Sequence, residues 1–270
     1  MNKVEYEDYV AGYGPSPAIW GHMPSRLVID PAEGIYLWED FLDFPATAHD
    51  AAGKGWLYTG TNPVTTVAQN SDTQATVMGG VVRIGATGTD EDDAYLIYGN
   101  NVNGSFMFTA GQELWYEARI KPSSITSVAF MGGLIDPAIS SGHDLLTDTT
   151  TVVIATNNFV GFHSLYGTPT VVRAATQHAS VAVNDVTSGT GTLGAAAWIK
   201  LGLSFMHNTL KFFIDGVQVG ADIAVDSTPT PTSFPYGHIL TPVFGVKDRG
   251  GAAKYLDIDW VRVAMQRPKG

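Results

Sequence analysis

The stretch LSFMHNTLKFFIDGVQVG, residues 203–220, decides the expected fold because it places turn signals between short apolar segments. Asp215-Gly216 is a favoured pair for a two-residue β-turn, since both central positions of a type I′ turn require positive φ angles. Phe212 and Ile214, just before the turn, are two residues apart and therefore share one face of a strand. The stretch predicts a β-hairpin whose role is structural.

The same pattern continues along the chain from residue 35. Short segments rich in β-branched and aromatic residues are bounded by Gly, Asn, Asp and Pro. In YLDIDWVRV, Leu256, Ile258 and Trp260 point to one face while Asp257 and Asp259 point to the other. No segment keeps a helical period over three turns. The sequence therefore predicts an all-β protein with one domain, residues 35–270, folded as a two-sheet antiparallel jelly-roll sandwich.

The large side chains of the apolar runs are expected to form the core of this sandwich. They are Trp38, Phe41, Trp115, Ile120, Phe130, Leu134, Phe162, Trp198, Leu201, Phe212, Ile214, Phe244, Ile258 and Trp260.

Residues 1–34 differ from the rest of the chain, because four prolines lie among aromatic and aliphatic side chains. Proline at this density disfavours helices and strand ladders, and disordered linkers contain few aromatic residues. We expect an extended N-terminal arm that docks either on its own domain or on a partner. The partner hypothesis assigns the contacts to Tyr6, Tyr9, Tyr13, Ile19, Trp20, Met23 and Leu27.

Composition limits the possible partners of the protein. The formal net charge of −11 argues against binding to nucleic acid or to an anionic membrane surface. The absence of Cys excludes disulfides and thiolate metal sites. The N-terminus has no apolar signal-peptide region, and no apolar run approaches the length of a membrane span. We expect a soluble protein that is made in a cytoplasm without classical secretion.

Three local patterns suggest a cofactor or a metal ion, and each has a simpler explanation. GTGTLG at 189–194 matches G-x-G-x-x-G, but the strand-like segment after it favours a loop. The carboxylates of Asp90–Asp93 could bind Ca²⁺, although adjacent side chains do not converge on one ion, so a solvated turn is favoured. The seven histidines form no metal-binding motif. We expect no cofactor and no metal, with the cation at Asp90–Asp93 left open.

Carboxylate pairs are the remaining candidates for catalysis. A retaining glycosidase requires two carboxyl groups on either side of a cleft. Three pairs share a strand face: Glu91 with Asp93, Glu113 with Glu117, and Asp257 with Asp259. Such pairs are common on the exposed strands of an acidic protein, so no catalytic residue is predicted. Aromatic side chains that could hold a sugar ring are Trp56, Trp115 and Tyr166.

Three segments, ELWYEARIKPS (113–123), WIKLGLSF…LKFFIDGVQVG (198–220) and LDIDWVRVA (256–264), resemble the concanavalin A-like lectin/glucanase jelly roll over roughly residues 35 to 265. Laminarinase-type glucanases carry E-x-D-x-x-E on the strand after the YEARIK segment. Here that strand reads VAFMGGLIDP, with Gly132 and Gly133 where acids would be needed. The resemblance therefore implies the fold and no catalytic residues.

A closer resemblance is to concanavalin-like virion proteins of tailed bacteriophages, through TDEDDAYLIYG, AFMGGLID, FVGFHSL and LTPVFGVK in that order. This resemblance implies a non-enzymatic capsid decoration or cement protein, located in the virion. It implies a homotrimer bound to the major capsid protein or another virion subunit. The alternatives are a glycan-binding module for host recognition and, less favoured, a glycoside hydrolase.

Overall fold

The computed structural model describes residues 14–41, 55–63, 68–69, 80–99, 104–137, 145–146, 158–179, 184–185, 191–225 and 233–267. Two four-residue helices lie in the described part, α1 (Pro17–Trp20) and α2 (Arg26–Ile29), and neither could cross a membrane. The strands are β1 (Gly34–Glu39), β2 (Trp56–Thr59), β3 (Ala68–Gln69), β4 (Val82–Ala86), β5 (Asp93–Tyr98), β6 (Phe106–Met107), β7 (Leu114–Pro122), β8 (Val128–Ile135), β9 (Phe159–Leu165), β10 (Thr168–Gln177), β11 (Asn184–Asp185), β12 (Gly191–Thr192), β13 (Ile199–Met206), β14 (Thr209–Ile214), β15 (Val217–Ala224), β16 (Ile239–Asp248) and β17 (Lys254–Gln266).

These strands form two antiparallel sheets. Sheet A has the order β15-β14-β13-β7-β17-β4-β3, and β1 also pairs with β17. Sheet B has the order β11-β10-β9-β8-β16-β5-β2, with β12 on β10 and β6 on β16. Hairpins of consecutive strands, such as β13 to β15 and β8 to β10, combine with pairs that are distant in sequence, such as β7 with β17 and β5 with β16, as in a jelly roll. The predicted all-β sandwich is confirmed.

The hairpin of β14 and β15 has the expected geometry. Asp215 and Gly216 have φ angles of 50° and 77° and connect β14 to β15. Phe212 points into the core, where its ring meets Phe162 of sheet B edge-on with centroids 5.4 Å apart. Aromatic pairs of this kind join the inner faces of the two sheets.

The core prediction is confirmed for most of the expected side chains and wrong for two. Trp38 is 56% exposed, and Trp198 is half-buried. Both lie on the outer face of sheet A, because the apolar run around each alternates between the two faces of a strand. Trp115 is fully buried, but it packs beneath the N-terminal segment rather than between the sheets. Trp260 is also buried, but a bulge in β17 places it opposite Arg119 on the outer face of sheet A and not on the inner face as predicted.

The N-terminal segment covers a part of the outer face of sheet A. Ile19, Trp20, Met23 and Leu27 are buried in a cluster with Trp115, Phe213 and Ala264. The expectation of an extended chain is wrong for the described part, since Pro17 begins α1, a position where proline loses no helical hydrogen bond.

The partner contacts proposed for these four side chains are therefore occupied by the chain's own sheet. Tyr6, Tyr9 and Tyr13 lie outside the described residues. The division into an arm, residues 1–34, and a domain, residues 35–270, stays a prediction, and β1 begins at Gly34.

The outer face of sheet B is covered as well. Tyr95, Met131 and Phe159 belong to an apolar cluster on that face with Leu145 and Leu146. The backbone N–H groups of both leucines donate to the Tyr95 hydroxyl, at 3.0 and 3.2 Å. Leu145 and Leu146 therefore cover a part of the outer face of sheet B.

Candidate functional site

The outer face of sheet A carries a row of charged and aromatic side chains in a fixed register. Trp38 of β1 lies opposite Arg262 of β17, and Arg262 lies opposite Glu117 of β7. Glu117 in turn lies opposite Gly202 of β13. Cross-strand neighbours of this kind have side chains within contact distance. Trp38 is exposed at one end of the row, whereas Arg262 and Glu117 are buried.

Glu117 binds the N-terminal segment to this face. Its carboxylate accepts hydrogen bonds from the backbone N–H of Ser16 at 2.8 Å, the Ser16 hydroxyl at 2.5 Å and the Trp20 indole N–H at 2.7 Å. Burial raises the pKa of Glu117, while these hydrogen bonds and the nearby Arg262 charge act in the opposite direction. The carboxyl group is thus a buried anchor for α1.

Gly202 makes room for α1 beside this anchor. A Cβ atom at position 202 would lie 2.3 Å from Cδ1 of Ile19. The side chain of Lys200, on the same face of β13, donates to the carbonyl of Gly14 at 3.2 Å. The position of the N-terminal segment is therefore specified by both polar and steric contacts.

The pH dependence of stability tests the Glu117 anchor. A raised pKa in the folded state means that stability is highest below the ordinary Glu pKa and falls as the pH rises through the folded-state pKa. We expect Glu117→Gln to remove this loss, so that unfolding free energies between about pH 4 and pH 8 vary less than in the wild type. Urea unfolding across that range measures it. The half-exposed Glu113→Gln is the control, and an identical pH profile for Glu117→Gln and wild type would contradict the assignment.

Asp257 and Asp259, one of the predicted carboxylate pairs, are both held in ion pairs. A bulge in β17 between Ile258 and Trp260 places Asp259 against the guanidinium of Arg119. Burial raises the pKa of Asp259, and the hydrogen bond and charge of Arg119 oppose that shift. Asp257 receives two hydrogen bonds from Arg83, at 2.6 and 2.8 Å, and lies 3.3 Å from Lys121.

The other predicted pairs do not form a cleft site. Glu113 lies 3.8 Å from His207. In the Asp90–Asp93 turn, Glu91 pairs with Lys247 at 2.8 Å. Hydrogen bonds from Thr87, Asn62 and Thr89 lower the pKa of Asp92 against the effect of burial. Across the described ranges, no three His, Cys, Asp or Glu side chains converge as a metal site would require. The described contacts therefore fit a charge-compensated turn at Asp90–Asp93.

Two histidines that are distant in sequence meet where β10 ends and β16 begins. The Nε2 atoms of His178 and His238 are 3.1 Å apart. The Asn158 amide lies 3.1 Å from Nδ1 of His238 and donates to Asp136 at 2.9 Å. The Asn158 side chain thus connects the histidine pair to Asp136. The pair links the end of β10 to the start of β16.

The exposed ring of Trp38 on the sheet A face rests on a cation. The guanidinium carbon of Arg262 lies 3.3 Å from the Trp38 ring centroid, so the two planar groups are in stacking contact. Arg262 is itself nearly buried and also faces Trp20 at 5.9 Å. One side of the Trp38 ring rests on a fixed cation, and more than half of the side chain remains open to solvent.

The aromatic residues proposed from the sequence as sugar platforms differ in their exposure to solvent. Trp56 and Trp115 are buried. Tyr166 is 37% exposed and stacks on Arg249 at 4.9 Å, at the turn between β9 and β10. Trp38 was missed as a surface residue. Alternation along the strand places Trp38 on the face opposite to that of Leu37 and Glu39. Only the pairing of β1 with β17 shows that this face is the outer one.

The comparisons with known proteins concern the fold. No protein-family model matches the sequence, and a search of curated proteins finds no relative. Among solved structures, a LamA variant from Zobellia galactanivorans in complex with laminaritriose and laminaritetraose is similar with a TM-score of 0.53 at 12% identity, covering 87% of this chain and 99% of that one. An endo-acting O-glycanase from the human gut microbiota gives 0.52 at 12% identity, covering 84% and 97%. Peanut lectin gives 0.50 at 12% identity, covering 88% and 100%.

These similarities confirm the concanavalin-like lectin/glucanase jelly roll and correct the functional prediction. The three solved structures just described are two glycoside-hydrolase structures and a lectin, and none of the three is a phage virion protein. The interpretation as a non-enzymatic capsid decoration protein of a bacteriophage is therefore contradicted, because the strand and turn pattern on which it rested is common to the whole fold. The homotrimer stays a prediction.

Proposed function

We propose that this protein binds carbohydrate on the outer face of sheet A, with Trp38 as the stacking platform. The observation that carries the proposal is the geometry of that side chain. Its ring lies on the Arg262 guanidinium at 3.3 Å, and it is 56% exposed. The guanidinium holds the ring from one side and the other side stays open, so a planar ligand face can stack on it.

The chemistry of a sugar ring suits this platform. The face of an aromatic ring carries the negative part of its quadrupole, which attracts the weakly positive C–H groups on one face of a pyranose. Trp38 is held in a strand and clamped by Arg262, so little side-chain freedom is lost when a ligand binds.

The structural neighbours support carbohydrate as the ligand class and suggest the first ligands to test. One neighbour is a LamA variant bound to laminaritriose and laminaritetraose, and another is described as an enzyme that initiates mucin breakdown. Linear β-glucan oligosaccharides and mucin O-glycans are therefore the first ligands to test.

Replacing Trp38 with alanine is expected to weaken carbohydrate binding by roughly ten- to a hundredfold. Covering about half of a ring surface of roughly 200 Å² contributes about 2.5 kcal/mol, and 1.4 kcal/mol is tenfold in Kd. A glycan array containing laminarin fragments and mucin O-glycans identifies ligands, and titration calorimetry measures Kd. Tyr166→Ala is the matched control, because Tyr166 is also exposed and stacked on an arginine. Absence of binding in the wild type, or equal binding by Trp38→Ala, would overturn the proposal.

Glycoside hydrolysis is the second candidate, and a specific observation favours it. Glu117 and Asp259 lie on the outer face of sheet A, and burial raises the pKa of both carboxyl groups. A raised pKa is the direction of shift that a general acid requires. Ser16 and Trp20 donate hydrogen bonds to the Glu117 carboxylate, so α1 would have to move before a sugar could reach it.

Reducing-sugar release from laminarin and from mucin tests this candidate. If Glu117 is the general acid, the wild type releases sugar and Glu117→Gln lowers the rate by about 10²–10⁴-fold. Release that is unchanged in Glu117→Gln would exclude this residue as the acid. The half-exposed Glu113→Gln controls for the loss of a carboxylate elsewhere on sheet A.

A further inference from the structure

Four polar residues meet at one end of sheet B, where four neighbouring strands begin or end. Asp136 follows β8, Asn158 precedes β9, His178 follows β10 and His238 precedes β16. The sheet order β10-β9-β8-β16 is antiparallel, so the end of one strand lies beside the start of the next. The contacts among these residues therefore tie four strand ends together.

Asn158 is the centre of this group and is nearly buried. Its backbone N–H and its side-chain amide donate to the Asp136 carboxylate at 2.8 and 2.9 Å. Its side-chain oxygen accepts the backbone N–H of Ala179 at 3.0 Å, and its amide nitrogen lies 3.1 Å from Nδ1 of His238. The Asn158 side chain therefore holds one edge of the His238 ring and the chain just after β10.

The other edge of the His238 ring faces His178. The two Nε2 atoms are 3.1 Å apart, and the ring centroids are 4.9 Å apart with an interplanar angle of 51°. That Nε2 separation is a hydrogen-bond distance, which requires one nitrogen to donate and the other to accept. Both side chains are half-buried, so protons from the solvent reach the rings.

Protonation of both rings is incompatible with this contact. An imidazolium ring carries a proton on each nitrogen and accepts no hydrogen bond. One added proton leaves the pair a donor and an acceptor, whereas two added protons place two N–H groups and two positive charges against each other.

The other titratable groups at these four strand ends do not face the ring contact. Among the described residues there, Asp136 carries a negative charge, and both of its carboxylate oxygens accept hydrogen bonds from Asn158. The Tyr236 hydroxyl accepts the backbone N–H of Ala110. The two histidines therefore take up a second proton only by moving apart.

We propose that His178 and His238 form a proton-sensitive contact, which holds this end of sheet B closed at neutral pH and releases it in mild acid. Separated rings bind one proton more than rings in contact, so acid shifts the equilibrium toward separation. Imidazole side chains change charge between about pH 5 and pH 8, which places the transition in that range. Neither ring belongs to the apolar core between the sheets, so the sandwich itself stays folded.

NMR-detected hydrogen exchange of the full chain at pH 7.5 and pH 5.5 tests this proposal, with each rate divided by the intrinsic rate at that pH. We expect the protection of the Ala179 amide, which donates to Asn158, to fall by roughly tenfold at pH 5.5. One extra proton over one pH unit below the ordinary imidazole pKa of about 6.5 changes an equilibrium by up to about tenfold. Amides of β7 in sheet A should keep their protection.

Glutamine variants show whether the histidines cause the change. His178→Gln and His238→Gln keep a side-chain amide that donates or accepts at either pH, so each should abolish the pH response of Ala179. His207→Gln is the matched control, because that exposed ring lies at the turn between β13 and β14 and its loss should leave the response unchanged.

Two results would overturn the proposal. One is equal protection of Ala179 at both pH values in the wild type, a comparison that needs no variant to fold. The other is a pH response that persists in both glutamine variants, whose folding at pH 7.5 is checked by thermal unfolding.

Discussion

Replacing Phe162 with alanine is expected to lower the free energy of unfolding by about 3–5 kcal/mol, which is a large part of the stability of a typical domain. Phe162 of β9 is fully buried, and its ring meets Phe212 of β14 edge-on across the two sheets. The substitution removes the transfer free energy of the ring, leaves a cavity that strands on both sides cannot close, and deletes an aromatic pair.

Urea unfolding followed by tryptophan fluorescence measures this loss. Ile239→Ala is the control, because that side chain is 54% exposed at the start of β16 and should change stability by less than about 0.5 kcal/mol. A loss below about 1 kcal/mol for Phe162→Ala would mean that the two sheets do not pack through this ring.

Replacing Arg119 with alanine is expected to cost a similar amount, about 3–5 kcal/mol, for an electrostatic reason. The Asp259 carboxylate is almost completely buried, and Arg119 is its ion-pair partner. Removing the cation leaves a buried charge without that partner and strips a cation from the face of the Trp198 ring.

The pH dependence of the Arg119→Ala loss identifies its cause. Burial already raises the pKa of Asp259, and losing Arg119 raises it further, so the carboxyl group becomes neutral as the pH falls. A neutral carboxyl is cheaper to bury, so the loss should shrink on acidification toward about pH 4. The double variant Arg119→Met with Asp259→Asn should recover part of the stability. A loss that does not depend on pH would assign the effect to packing instead.

Arg83→Ala is the matched control for this experiment. Arg83 also pairs with a buried aspartate of β17, but Asp257 keeps Lys121 at 3.3 Å when Arg83 is removed. The arginine is also more exposed than Arg119, so its loss should cost only about 1 kcal/mol.

The sequence by itself determined the strands and the turns that join them. Alternation with a period of two is a local property of the backbone, and Asp215-Gly216 accepts positive φ angles wherever it stands in a fold. The resemblance of the 113–123 and 256–264 segments to a concanavalin-like jelly roll was sufficient for the fold class. These same segments could not separate a virion protein from a lectin or a glycanase, because strand patterns encode packing and not the chemistry of a surface.

Which face each residue occupies, and what covers that face, was decided only by the tertiary structure. Glu117 accepts hydrogen bonds from Ser16, a residue 101 positions away, and His178 meets His238 across 60 positions. Trp38 looked like a core residue because its run is apolar, yet the pairing of β1 with β17 turns it outward onto Arg262. Alternation assigns residues to two faces, but burial depends on which distant segment the topology brings against each face.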